Sequence, residues 1–149
     1  MNSAEATILS ASIGKVLVGA CRADYLIDGV PNDEDAGPLQ LEFADGSKTV
    51  LSLVPDGENV TAETTALQFS PETWFRIELS SEDSWAHLIN QTVTGCDEWI
   101  WDREIRTGWR IWFDDQSLCY INAGDYAKIE INSQPRWPTS GCEWRVIEN

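Results

Sequence analysis

The chain is poor in basic residues and has no long apolar run. Ten Lys and Arg residues oppose 25 Asp and Glu residues in a chain of 149, which gives a formal net charge of −15. Phosphate binding requires clustered Lys and Arg, so we expect neither nucleic acid nor an anionic membrane surface as a partner. No apolar run reaches the roughly 18 residues of a membrane-spanning helix. Residues 1–20 show no apolar stretch typical of a secretory leader, so we predict a cytoplasmic protein.

Cysteine and histidine are too few and too scattered for a metal site. The four cysteines, Cys21, Cys96, Cys119 and Cys142, form no CxxC pair, whereas zinc sites take their ligands from closely spaced Cys and His. The chain is also too long and too poor in cysteine for a disulfide scaffold. The sequence therefore predicts reduced thiols, no metal and no other cofactor.

Candidates for catalysis are equally sparse. His87 is the only histidine, the residue type most often used as a general base, and it lies beside Trp85 in a predicted helix. Adjacent carboxylates such as Asp114 and Asp115 would face opposite sides of a strand. A glycosidase instead needs two carboxylates facing each other across a cleft. We predict a protein that is not an enzyme.

An internal repeat is the main feature that the sequence does contain. At an offset of 70 residues the matched pairs include Phe43/Phe113, Asp45/Asp115, Trp74/Trp144, Glu78/Glu148 and the conservative Leu51/Ile121. Nearer the start the offset is 76, as in Gly19/Gly95. The change falls in the Gly-, Pro- and Asp-rich loop 28–38, where insertions are well tolerated. We infer a tandem duplication, with repeat 1 at residues 1–79 and repeat 2 at residues 80–149.

Repeat 1 has the pattern of β-strands. Leu39, Leu41 and Phe43 alternate with polar residues, which is typical of a half-buried strand. Asp45 and Gly46 then predict a two-residue hairpin turn, because both types adopt positive φ readily.

Repeat 2 follows the same plan. Its core face is predicted to carry Trp109, Ile111 and Phe113, with Cys119 and Ile121 returning on that face. Ahead of the strands of each repeat lies a candidate helix, Ser3–Ile13 or Ser81–Asn90. The fold class is therefore mainly β, or β-rich α+β, with about five strands in each repeat and one or two short helices. We expect a sandwich or a half-open barrel with one shared core.

Tryptophan is unusually frequent in this chain. There are eight, and seven of them lie at or after residue 85. Because the two faces of a sheet cannot both line one core, some of these rings are expected to be exposed or half-exposed. Trp74 and Trp144, which the repeat matches, are predicted to fill the core. The candidates for partner binding have no aromatic counterpart at the 70-residue offset, and they are Trp99, Trp101, Trp112 and Trp137.

The acidic charge is concentrated in repeat 1. Residues 1–79 carry 13 acidic and 4 basic residues. Surface charge of one sign attracts a partner of the opposite sign, while aromatic residues anchor it. The predicted partner-binding acids are Asp33, Glu34, Asp35, Asp56 and Glu58. An alternative stays open, in which the charge serves solubility alone.

The hairpin sequence LQLEFADGSKTVLSL at residues 39–53 lies in a small, acidic, β-rich chain without a catalytic set. In these respects the chain resembles bacterial toxin-immunity proteins. The resemblance implies a cytosolic inhibitor that caps a cationic protein, such as a basic toxin or nuclease. The alternative is a small-ligand or carbohydrate-binding module that uses the tryptophans. The sequence makes no prediction of the oligomeric state.

Overall fold

The structure is a computed structural model that describes residues 3–27, 30–31, 37–54, 59–68, 74–123, 127–132 and 142–148. Two antiparallel sheets pack together, with two short helices beside them. The prediction of a mainly β protein is confirmed, and the arrangement is that of a sandwich. The elements are α1 Ala4–Ser10, β1 Leu17–Ile27, β2 Val30–Pro31, β3 Leu39–Phe43, β4 Lys48–Leu53, β5 Val60–Glu63, β6 Trp74–Glu78, α2 Asp83–Ala86, β7 Gly95–Trp101, β8 Ile105–Phe113, β9 Gln116–Asn122, β10 Ala127–Ile131 and β11 Cys142–Val146.

The two sheets have the same strand order. The first runs β6-β1-β3-β4-β5, with the two-residue β2 paired to the end of β1, and the second runs β11-β7-β8-β9-β10. Ala20 pairs with Leu41 in the first sheet, and Cys96 pairs with Ile111 in the second. These pairs reproduce the offsets of 76 and 70 residues seen in the sequence. The tandem repeat is therefore a repeat of topology as well as of sequence.

Residues of both repeats form one contiguous buried cluster. From repeat 1 it includes Leu41 and Leu51, and from repeat 2 it includes Trp109, Ile111 and Tyr120. The indole Nε1–H of Trp109 donates to the carbonyl of Thr61 at 3.1 Å, which joins β8 of the second sheet to β5 of the first. The core thus lies between the two sheets, as the alternating patterns of β3 and β8 predict.

Helix α1 closes one side of this core. Its N-cap is Ser3, whose Oγ accepts a hydrogen bond from the backbone N–H of Ala6 at 3.1 Å. Ala6 and Leu9 are fully buried, and the helix contacts both β5 and β7. It is shorter than the predicted Ser3–Ile13, and α2 is shorter than the predicted Ser81–Asn90.

The hairpin between β3 and β4 differs from its prediction. Its loop has three residues, because the N–H of Phe43 donates to the carbonyl of Ser47 and the N–H of Gly46 donates to the carbonyl of Phe43. Gly46 alone in this loop has a positive φ, at 87°. The predicted two-residue turn of Asp45 and Gly46 is therefore wrong, and the loop is a turn closed by a glycine in the left-handed region.

The hairpin between β8 and β9 is one residue shorter. Phe113 pairs directly with Gln116, so the loop is Asp114 and Asp115 alone, and Asp114 supplies the positive φ at 61°. The backbone N–H of Asp114 donates to Thr94 Oγ1 at 2.8 Å, which holds the turn against the start of β7.

This one-residue difference changes the face that each residue of β9 occupies. Leu118 and Tyr120 join the core, whereas Cys119 and Ile121 lie on the outer face. The prediction that Cys119 and Ile121 return on the core face is wrong, because a shift of one residue sends every side chain of a strand to the opposite face.

Trp74 and Trp144, which the 70-residue offset matches in the sequence, do not occupy equivalent positions in the two sheets. Trp74 pairs with Tyr25, and the corresponding pair in the second sheet joins Cys142 to Trp101. Trp144 pairs with Trp99 instead and is half-buried on the outer face. The predicted core role of Trp144 is therefore wrong, while that of the Trp74 side chain lies outside the described residues.

Three buried thiols make stability sensitive to alkali. Burial raises the pKa of Cys21 to about 11 and the pKa values of Cys96 and Cys119 to about 12, from a usual value of 9.0. As pH rises past about 9, thiols ionise in the unfolded chain while the folded protein keeps its protons. The free energy of unfolding is therefore highest below pH 9 and falls as pH rises toward about 12.

We expect this fall to be less steep in Cys119→Ala, because the variant has one fewer thiol that must lose its proton on unfolding. Urea unfolding between about pH 7 and about pH 11 measures the slope. Cys142→Ala, which removes a less buried thiol, serves as the control. An unchanged slope in Cys119→Ala would contradict the conclusion that burial raises the pKa of this thiol.

Candidate binding surface

The outer face of the second sheet carries a group of side chains that we call the outer tryptophan face. Its apolar part is a second cluster separate from the main core, formed by the side chains of Trp99, Cys119, Ile121, Cys142 and Trp144. Its polar and mixed part is formed by Asp97, Arg110 and Trp112, which alternate along β7 and β8 with core residues. Aromatic and charged groups thus share one side of a sheet whose other side is core.

The rings of this face form a continuous stack. The Arg110 guanidinium lies 4.7 Å from the ring centroid of Trp112 and 3.9 Å from that of Trp144. Trp144 in turn stacks on Trp99, with 5.3 Å between centroids and 17° between planes. A cation over a tryptophan ring stabilises by about 0.5 to 2 kcal/mol. The stack therefore fixes side chains from β8, β7 and β11 against one another.

Asp97 holds this stack in place. Its Oδ2 accepts hydrogen bonds from Arg110 Nε and from Trp112 Nε1, both at 2.7 Å, and Arg110 Nη2 lies at the same distance. Asp97 is 5% exposed, and the Arg110 side chain is 12% exposed. Charge-assisted bonds of this kind are short and directional, so the carboxylate sets the positions of both the guanidinium and the indole.

Gly108 makes room for the apolar part of the face. A Cβ at this position would lie 2.4 Å from Ile121 Cδ1 and 3.4 Å from Trp99 Cβ. Gly95, on the neighbouring strand, meets only Trp112 Cδ1 at 3.9 Å, which is an ordinary contact.

We expect Gly108→Ala to lower the free energy of unfolding by about 2 kcal/mol, because overpacking forces neighbouring side chains to move. Gly95→Ala is the matched control and should change stability by less than about 0.5 kcal/mol. Urea unfolding of the two variants measures both values. Equal effects would show that Gly108 is not a packing requirement.

The equivalent face of the first sheet has different chemistry. Cys21 and Gln40 occupy the positions of Asp97 and Arg110, and Gln40 Nε2 donates to Cys21 Sγ at 3.8 Å. Arg76 occupies the position of Trp144 and pairs with Glu42 at 3.1 Å. The repeats thus share a backbone plan, but the aromatic stack belongs to repeat 2.

The residues that the sequence predicts for partner binding differ in their exposure. Trp101 and Trp112 are half-buried, whereas Trp99 is only 5% exposed and supports Trp144 instead of meeting solvent. That burial corrects the expectation of Trp99 as an exposed anchor. The remaining candidates lie outside the described residues, namely Asp33, Glu34, Asp35, Asp56, Glu58 and Trp137.

Sequence reasoning missed Asp97 and the role of Trp144. Residues two apart on a strand share a face, so the spacing puts Asp97 with Trp99 and Arg110 with Trp112. The sequence does not show that these residues of β7 and β8 lie side by side. That follows only from the register of the two strands, in which Asp97 is opposite Arg110. That register depends on the β7–β8 turn and on a bulge after Trp99, neither of which has a signal in the sequence.

Other kinds of site have no support in the described part of the chain. His87 is exposed at the end of α2, and its backbone carbonyl accepts a hydrogen bond from Gln116 Nε2. No three His, Cys, Asp or Glu side chains of the described residues come together as metal ligands. No helix among those residues is long and apolar enough to cross a membrane.

The chain matches no protein-family model, no curated protein and no solved structure. What it binds must therefore be inferred from the chemistry of its own surface.

Proposed function

We propose that the protein is a non-enzymatic inhibitor that binds a basic protein, such as a toxin or nuclease, and covers its working surface. The observation that carries this proposal is the outer tryptophan face, with half-buried Trp112 and Trp144, in a chain of net charge −15. Half-buried Trp101 lies beside this face, because it pairs with Cys142. The acidic charge attracts the partner, and the aromatic side chains anchor it.

The rigidity of the face supports a role in protein binding. Asp97 fixes Arg110 and Trp112 by hydrogen bonds, and Arg110 fixes Trp144 by stacking. Side chains that are already ordered lose little conformational entropy when a partner binds. Tryptophan and arginine are also the residue types that most often dominate binding energy at protein interfaces.

The same stacking makes the carbohydrate alternative less suitable. A sugar ring binds tryptophan through the face of the indole. Trp144 already stacks on both Trp99 and Arg110, and Trp112 lies against Arg110. These contacts use ring faces of Trp144 and Trp112 that a sugar would need, whereas ring edges and the polar groups beside them suit an irregular protein surface.

Affinity capture from an extract of the source cells, at low and high salt, tests the proposal directly. We expect one stoichiometric basic protein whose association rate falls as salt rises. Replacing both Trp101 and Trp112 with alanine should weaken its binding at least about tenfold. The matched control is Arg76→Ala combined with Lys48→Ala, on the outer face of the first sheet.

Three results would overturn the proposal. One is capture of an acidic partner, and another is equal binding by the tryptophan variant and by its control. The third is a change in tryptophan fluorescence with oligosaccharides but no protein partner at either salt concentration, which would support the carbohydrate alternative.

A further inference from the structure

The carboxylate at the centre of the outer tryptophan face uses only one of its two oxygens. All of the hydrogen bonds that Asp97 accepts from the described residues end on Oδ2. An ionised carboxylate has about four acceptor positions, shared between its oxygens. Asp97 Oδ1 therefore keeps its acceptor capacity, and it is not completely enclosed by protein. Because Oδ1 is not completely enclosed, a donor from outside the chain can reach it.

The strands beside Asp97 indicate the direction from which a donor arrives. On the β8 side its pairing partner is Arg110, which already donates to Oδ2. On the β11 side its pairing partner is Val146, which is 77% exposed and has no polar side-chain atom. The β11 side thus leaves an open, apolar approach to the carboxylate.

We propose that Asp97 Oδ1 is the acceptor for an arginine or lysine side chain of the basic partner, which enters over Val146. The aliphatic part of that side chain lies against Val146, and its cationic head donates to Oδ1. This inference rests on the proposed function, and it specifies which chemical group of the partner the outer tryptophan face recognises.

Two features of the face favour a cation over a neutral donor. Asp97 Oδ1 carries part of the negative charge of the carboxylate, and a cationic donor makes a shorter and stronger hydrogen bond to such an oxygen than a neutral donor does. The net charge of −15 further raises the local concentration of cations near the surface. An arginine of the partner would make the stronger contact, because its planar group both stacks and donates in a fixed geometry.

Titration with hexa-arginine, followed by the NMR signals of the tryptophan indole N–H groups, tests the inference. We expect the Trp112 indole signal to shift, since its N–H donates to the same carboxylate. Asp97→Asn should raise the dissociation constant about tenfold, while keeping an acceptor for that indole. Glu42→Gln, which removes an ion-paired carboxylate from the first sheet, should raise it less than about twofold.

A second pair of variants keeps the test valid if Asp97→Asn disturbs the fold. Val146→Arg places a cation at the open side of Asp97 and should compete with hexa-arginine, again about tenfold. Because Val146 is highly exposed, the change leaves the core untouched. Val18→Arg, at an exposed valine of the first sheet, adds the same charge and should have little effect.

The inference is overturned if Asp97→Asn and Glu42→Gln weaken hexa-arginine binding equally, and Val146→Arg and Val18→Arg do so as well. Net charge alone would then explain the weaker binding. Binding of maltohexaose at the Trp112 indole, without binding of hexa-arginine, would also overturn it. The proposed function fails separately, through the absence of a basic protein in the capture experiment. A captured basic protein that binds Val146→Arg normally would refute only the inference.

Discussion

Replacing Trp109 with alanine is expected to lower the free energy of unfolding by about 4 kcal/mol, because a buried aromatic side chain is lost and a cavity remains. Trp109 is completely buried, and its indole N–H donates to the carbonyl of Thr61 at 3.1 Å. The substitution therefore removes core packing and also leaves a carbonyl of the opposite sheet without its donor.

Urea unfolding measures this loss. Trp101→Ala, at a half-buried position near the end of β7, is the control and should lose less than half as much. A loss in Trp109→Ala no larger than in Trp101→Ala would contradict the placement of Trp109 at the centre of the shared cluster.

The second large effect is expected at Arg106, which joins the repeats by hydrogen bonds. Its Nε and Nη2 donate to the carbonyl of Val60 at 3.2 and 3.0 Å. Its Nη1 donates to Ser3 Oγ at 3.0 Å and lies 3.5 Å from Glu98 Oε1. The guanidinium also lies 4.2 Å from the ring centroid of Trp109. One side chain of β8 thus contacts β5, β7 and the N-cap of α1.

Arg106→Ala is expected to cost about 3 kcal/mol, because its side chain is 15% exposed and its removal leaves Glu98 and the Val60 carbonyl without their partner. Arg106→Lys should recover only part of this, since an ammonium cannot reproduce the planar set of donors. The control is Arg145→Ala, which breaks an exposed pair with Glu143 and should cost less than about 1 kcal/mol. Thermal unfolding measures the three variants. Equal unfolding midpoints would contradict the conclusion that the hydrogen bonds of Arg106 stabilise the contact between the repeats.

The architecture follows from local pattern, which is why much of it could be predicted. Alternation in Leu39–Phe43 and in Trp109–Phe113 defines two strands with one buried face each. The offsets of 70 and 76 residues then imply that the second sheet repeats the pairing of the first. The first inference uses positions within one strand, and the second transfers this local pattern from one repeat to the other, so neither requires knowledge of a long-range contact.

The candidate binding surface could be predicted only in part, because it depends on register across strands. The expectation that some tryptophans are half-exposed is confirmed at Trp101 and Trp112, whereas Trp144, predicted to lie in the core, is half-buried as well. The sequence could not show that Asp97 would meet Arg110 and Trp112, because the register across β7 and β8 sets that contact. The sequence pattern also misplaces Cys119 and Ile121, because the loop after β8 is one residue shorter than the loop after β3 and its turn contains no glycine to mark it.

The contrast between a three-residue loop after β3 and a two-residue loop after β8 has a consequence for the outer faces of the two sheets. One codon gained or lost in a hairpin loop exchanges the inward and outward residues of the following strand without any substitution. Strand β9 tolerates such an exchange because it is apolar on both sides, with Leu118 and Tyr120 facing inward and Cys119 and Ile121 facing outward. A one-residue difference in loop length thus decides which residues of β9 face outward, and in the second sheet it places Cys119 and Ile121 beside Trp99 and Trp144.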